Sequence, residues 1–148
     1  MMDLPFDLVC QCILVPGGAF RAKIETGAKY RYYFVLNANP ATDNVILLVT
    51  ATTKITEHRC RYPADVLVEI DPNQYKPLQQ KSLVNCEFAR AYYRTDLETK
   101  LRESLAQKKL EILDPLPETI LRGLRDALSE CRNVAPIDKQ LALGDENI

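Results

Sequence analysis

Residues 28 to 55 read AKYRYYFVLNANPATDNVILLVTATTKI. Two runs rich in Tyr, Val, Ile and Thr, at 30–37 and 44–52, flank the segment ANPATD, whose Asn, Pro and Asp are turn formers. The stretch therefore predicts two antiparallel strands joined by a short connection. Alternation along the first puts Arg31, Tyr33, Val35 and Asn37 on one face and Tyr30, Tyr32, Phe34 and Leu36 on the other. The antiparallel turn returns the end of the second run, Thr50, Thr52 and Thr53, toward the start of the first, where Arg31 lies. A permanently charged guanidinium and strand-end hydroxyls brought together can hold the oxygens of a phosphate.

Outward from this pair, the pattern predicts further strands at 20–24, 66–70 and 82–92, a helix over 95–105 capped by Thr95 or Asp96, and a returning strand at 109–113. The segment ETGAK links the strands at 20–24 and 30–37 as a hairpin. Before Pro16-Gly17-Gly18, the apolar residues fit a strand and a helical stripe equally well. Leu121, Leu124, Leu128 and Cys131 form one stripe of a helix that begins near Pro117 and Glu118 and ends before Asn133. Strands first and helices later give an α+β class. Closely spaced, sequentially connected strands favour an up-and-down or SH3-like antiparallel β-barrel with the C-terminal helix packed on it, because closure removes exposed edges. Residues 1–135 read as a single domain, and 136–148 as a polar C-terminal tail, loose or forming a short pairing segment.

The 148 residues are enough for one domain with its own core. Nineteen basic and 20 acidic residues leave a formal net charge of -1, so nucleic-acid binding has to rest on a local basic patch and not on a global field. Such a patch is legible. Lys23, Lys29, Lys54, His58, Arg59 and Arg61 gather near Tyr30, Tyr32, Tyr33 and Tyr62, pairing cations that track a backbone with rings that stack bases. Five scattered cysteines fit a reducing compartment, and the chain lacks both an 18-residue apolar run and a secretory leader pattern, so a soluble cytoplasmic protein is expected. Cys10-x-Cys12 and His58-x-Cys60 do not have the spacing of common structural zinc sites, and no metal or other cofactor is expected. Phosphate-binding glycine loops, nucleophile elbows and His-Glu helix motifs are missing from the sequence, and one histidine excludes a two-histidine ribonuclease mechanism within one chain.

In order and spacing, these motifs resemble the MazF/PemK family of toxin ribonucleases over about residues 15 to 132. PGGAF is similar to the family's first turn and strand, RYYFVLN to its arginine-led strand, and ATTKI to its Thr-Ser strand end. VLVEIDPNQY and KSLVNCEFAR resemble its next strand pair, and ETILRGLRDAL its closing helix. Three positions differ from the family pattern: Tyr32 replaces a proline, the first loop is shortened to ETGAK, and Phe88-Ala89-Arg90 stands for Gln-Ile-Arg.

The resemblance implies a homodimeric SH3-like barrel that cleaves single-stranded RNA (mRNA) at specific sequences without metal and is neutralised by a cognate antitoxin. It carries the catalytic arginine onto Arg31 and the catalytic hydroxyl onto Thr52. Thr53 matches the adjacent serine, Thr50 is the alternative at a two-residue slip, and Glu25 matches a loop glutamate that accepts a proton. Lys29, Tyr30, Thr50, Thr53, Lys54, His58, Arg59 and Arg61 complete the expected RNA-binding set. The competing class is a barrel of the same fold that binds a protein or RNA partner without cutting.

Overall fold

The computed structural model describes residues 5–24 and 29–144. The strands of the opening stretch are β2 (Arg31–Val35) and β3 (Val45–Thr52), preceded by β1 (Ala19–Ala22). β4 (Leu67–Ile70), β5 (Ser82–Asn85), β6 (Arg90–Tyr93) and β7 (Leu110–Leu113) complete an antiparallel sheet of order β4-β5-β3-β2-β1-β7, with β6 also on β3. Five helices accompany it among the described residues: α1 (Phe6–Ile13), α2 (Ile55–Arg61), α3 (Arg94–Ala106), α4 (Glu118–Ser129) and α5 (Pro136–Leu143).

The uninterrupted apolar runs YYFVL and VILLV follow from burial on both faces of the sheet. Tyr33, Val35, Ile46 and Leu48 join Val9 and Ile13 of α1 and Leu97 and Leu101 of α3 in one core. Phe34, Leu36, Leu47 and Val49 join Leu121, Leu124 and Leu128 of α4 and Ala142 of α5 in the other. The alternation in 30–37 therefore separates two cores and not a core from solvent.

The expected antiparallel sheet with a C-terminal helix is present. Closure into a barrel is not seen among the described residues: β4 and β7 end the strand order, and no pairing joins them. Helices cover the faces instead. β3 is long enough to pair with β6 through Val45 to Leu48 and with β5 through Ala51 and Thr52.

The β2–β3 connection is fixed by Asn37, which is fully buried. Its Nδ2 donates to Asp43 Oδ2 and to the Val45 carbonyl, each at 2.8 Å, and its Oδ1 accepts from Leu47 N–H at 2.7 Å. A buried amide costs little when both of its ends are satisfied. Arg125 of α4 donates to the Leu36 and Asn37 carbonyls, tying that helix to the same corner. In the Pro16-Gly17-Gly18 turn, Gly17 has φ 73°, and a Cβ on Gly18 would run into the Ile13 carbonyl oxygen.

One open reading is resolved and three expectations are corrected. The ambiguous N-terminal segment is the helix α1, because Val9 and Ile13, four apart, both reach the core. The single strand expected at 82–92 divides into β5 and β6 around a 3₁₀ turn, Cys86–Phe88, where the Asn85 side chain accepts from Glu87 N–H. Neither Thr95 nor Asp96 caps α3. The helix starts at Arg94, whose Nε donates to the Asp43 carbonyl at 2.8 Å. Finally, 136–143 is the helix α5, begun by Pro136 and docked by Ala38 N–H on the Leu141 carbonyl at 2.8 Å. Its single buried residue, Ala142, is too weak a periodic signal to read in sequence. Among the described residues no helix is long and apolar enough to cross a membrane.

Candidate nucleic-acid interface

The β2–β3 ladder runs from Val35–Leu48 to Tyr33–Thr50 and stops there. Beyond it β3 is paired on its other edge with β5, and β2 with β1, where Ala22 faces Arg31. Continued by two residues, the register brings Arg31 level with Thr52, on the same face of the two strands. The ladder's end opens into a groove of about 680 Å³, and Arg31 and Thr52 both line it.

Three further elements wall the groove. β1 contributes Arg21, α2 contributes Glu57, His58 and Arg61, and the β5 region contributes Ser82, Asn85 and Phe88. Lys29 and Lys54 lie at the strand ends. Five cations, Arg21, Lys29, Arg31, Lys54 and Arg61, thus meet one carboxylate, Glu57, in the lining of a chain whose formal charge is -1. That local excess of positive charge favours a polyanion in the groove.

At one end, the Arg21 guanidinium lies 4.5 Å from the centroid of Tyr30 and 5.0 Å from that of Tyr32. Two rings hold the cation in place. Tyr32 is itself fixed by donating its hydroxyl to the Pro77 carbonyl at 3.1 Å. Arg21 Nε is buried and, among the described residues, has no hydrogen-bond acceptor. Burial raises the pKa of Tyr30 above the ordinary tyrosine value, and the charge of Glu111 adds to the rise, so Tyr30 remains a neutral phenol at physiological pH.

In the middle, Thr52 Oγ1 accepts from Lys54 N–H at 3.2 Å. This local turn uses an acceptor lone pair and leaves the hydroxyl hydrogen to donate. At the other end, His58, Tyr62 and Phe88 form an aromatic cluster. His58 stacks on Tyr62 with centroids 6.0 Å apart, and Phe88 stands edge-on to His58 at 5.7 Å and to Tyr62 at 5.3 Å. Phe88 is 55% exposed, whereas the neighbouring Asn85 is 4% exposed and its Nδ2 lies 3.0 Å from His58 Nδ1.

Among the residues singled out from sequence, Lys29, Tyr30, Arg31, Thr50, Thr52, Thr53, Lys54, His58 and Arg61 line this one groove. Arg59 does not: it is ion-paired with Glu69, which Lys81 also approaches at 3.4 Å. Glu25 lies outside the described residues. His58 and Arg61 stand on the helix α2, none of whose residues is buried. The sequence reading missed Arg21, Asn85 and Phe88. A lone Arg between Phe20 and Ala22 in the otherwise apolar AFRA strand is the one signal that could have drawn attention to Arg21.

No family model matches the chain, and no curated protein matches its sequence. Among solved structures, the fold is similar to an endoribonuclease in complex with its cognate antitoxin from a mycobacterial species, with a TM-score of 0.50 and 15% sequence identity. The match covers 78% of this chain and 90% of the other. By fold, this chain is similar to an antitoxin-bound endoribonuclease, in keeping with the MazF/PemK resemblance of its motifs.

Proposed function

We propose that this chain is a metal-independent, sequence-specific endoribonuclease toxin that cuts single-stranded RNA and is neutralised by a cognate antitoxin occupying the same groove. The observation that carries this reading is the convergence of Arg31 and Thr52 on the mouth of one cationic, aromatic-lined groove, in a fold similar to that of an antitoxin-bound endoribonuclease.

The chemistry is a transesterification within the RNA. The 2'-hydroxyl oxygen bonds to the adjacent phosphorus, the bond from phosphorus to the 5'-oxygen breaks, and a cyclic phosphate and a 5'-hydroxyl end result. Negative charge builds on the equatorial oxygens as the new bond forms. Arg31, exposed and permanently charged, supplies donors for those oxygens. Thr52 donates to the phosphate or the ribose and fixes the line of attack. Glu25 accepts the 2'-hydroxyl proton in this scheme, and solvent returns one to the leaving oxygen. Lys29, Lys54 and Arg61 follow the phosphates on either side, with Tyr30 available to stack a base. In this reading the protein works in the cytoplasm, where mRNA is, as a homodimer whose two-fold interface extends the groove.

The test is incubation of purified wild-type and Arg31→Ala protein with a long single-stranded RNA in EDTA, with new ends mapped by primer extension. Discrete cuts by wild type alone are expected. An antitoxin-free, folded wild type that binds RNA but leaves it intact would replace this reading with that of a non-catalytic binding module.

A further inference from the structure

The orientation of one buried amide fixes what His58 can offer a ligand. Asn85 Oδ1 accepts from Glu87 N–H at 3.0 Å, and a backbone N–H can only donate. That settles which end of the amide is oxygen and which is nitrogen. The Nδ2 end, a pure donor, therefore faces His58 Nδ1 at 3.0 Å. His58 Nδ1 must accept this hydrogen bond and so carries no proton, which places the ring hydrogen on Nε2. Reversing the amide would set two donors against each other at Glu87 and leave them unsatisfied beside a residue that is 4% exposed.

The ring so fixed is also held rigidly, stacked against Tyr62, which packs on the core around α4, and flanked by the edge of Phe88. Phe88 keeps 55% of its surface exposed at the groove. An exposed aromatic ring beside a fixed donor, in a channel of cations, matches the needs of an unstacked nucleobase: a face to stack on and a partner for its edge.

We propose that Phe88 and the Asn85-locked His58 form a nucleobase subsite in which Phe88 stacks the base and His58 Nε2–H reads its exocyclic position. A donor at that position selects a keto oxygen, as in uracil, over an amino group, as in cytosine. The inference rests on the RNA-binding reading above and adds to it a base preference and the residues that set it. Asn85 is a positioning residue: it acts through His58 and leaves the ligand untouched.

The test titrates full-length protein with labelled, uncleavable 2'-O-methyl oligouridylate and oligocytidylate of equal length. Wild type is expected to favour the uridylate by about tenfold, the worth of one hydrogen bond. His58→Phe keeps a ring against Tyr62 and Phe88 but removes the donor, and should abolish the preference. Phe88→Ala should weaken both oligonucleotides alike by about tenfold or more, because stacking does not distinguish them. Asn85→Asp can still accept from Glu87 N–H with one oxygen while the other accepts from Nδ1–H, turning Nε2 into an acceptor and shifting the preference toward cytidylate. The chain has a single histidine, so a ¹⁵N spectrum of the imidazole, recorded above neutral pH, reads the tautomer with no RNA present. A proton on Nδ1, equal binding of the two oligonucleotides by wild type, or an unchanged preference in His58→Phe would each overturn the subsite while leaving RNA binding in place. Failure of wild type to bind either oligonucleotide would remove the RNA reading, and the subsite with it.

Discussion

Strands β2 and β3 each have two unlike regions. Their shared stretch, Tyr33 to Val35 against Leu48 to Thr50, is a continuous ladder whose residues, Thr50 apart, are buried between two helical layers. Their other ends, Arg31 and Thr52, are exposed or half-buried, pair with different strands and border the groove. A buried frame and an exposed polar end are thereby divided within one hairpin. The buried ladder fixes the backbone, and the parted ends hold polar side chains on a frame that does not depend on them. A site built this way tolerates loss of its charged residues without unfolding, which is how function and stability can be separated by mutation.

The largest expected effect lies in the buried region. Phe34 is fully buried, edge-on to Tyr75 with centroids 5.8 Å apart. Phe34→Ala should cost about 3–5 kcal/mol, read as a shift in the urea midpoint, and should reduce activity only through the fraction unfolded. The opposite pattern is expected at the mouth. Arg31→Ala should lower the cleavage rate by about 100-fold or more while shifting stability by no more than about 0.5 kcal/mol, checked by pairing the RNA assay with thermal unfolding. If Arg31→Ala instead unfolds the protein, the division between frame and site fails.

Thr52→Ala should be intermediate. Loss of one positioning hydroxyl is expected to slow cleavage by about tenfold, and loss of the bond to Lys54 N–H should cost a few tenths of a kcal/mol. The smallest effect is expected just outside the groove. Arg59→Ala breaks a partly exposed ion pair with Glu69, worth about 0–1 kcal/mol, and should leave RNA affinity unchanged. A marked loss of RNA affinity would show that the binding surface continues around α2 beyond the groove wall. Arg61→Ala is the internal control, since Arg61 lies on the same helix but lines the groove.

How much of this was legible in sequence differs element by element. The β2–β3 hairpin is, because the β-branched and aromatic runs and the ANPATD turn act locally and agree with each other. α4 is also legible, since its apolar stripe repeats at helical spacing over three turns. α2 is not: ITEHRCR buries none of its residues, so no periodicity marks it. The division of 82–92 is equally invisible, because an apolar run carries no sign of where a side-chain cap such as Asn85 interrupts it.

The site shows the same division. The sequence by itself determined that the chain has an antiparallel hairpin, an amphipathic C-terminal helix, and a basic, tyrosine-rich region with Arg31 and Thr52 at the strand ends. These follow from residue type and short-range spacing. Only the tertiary structure decided that β3 leaves β2 to pair with β5 and so opens a groove, that Arg21 enters it beside two tyrosines, and that Asn85 meets His58. Each of those is a meeting of residues far apart in the chain, and such meetings are set by which faces bury together, information that no local stretch of sequence contains.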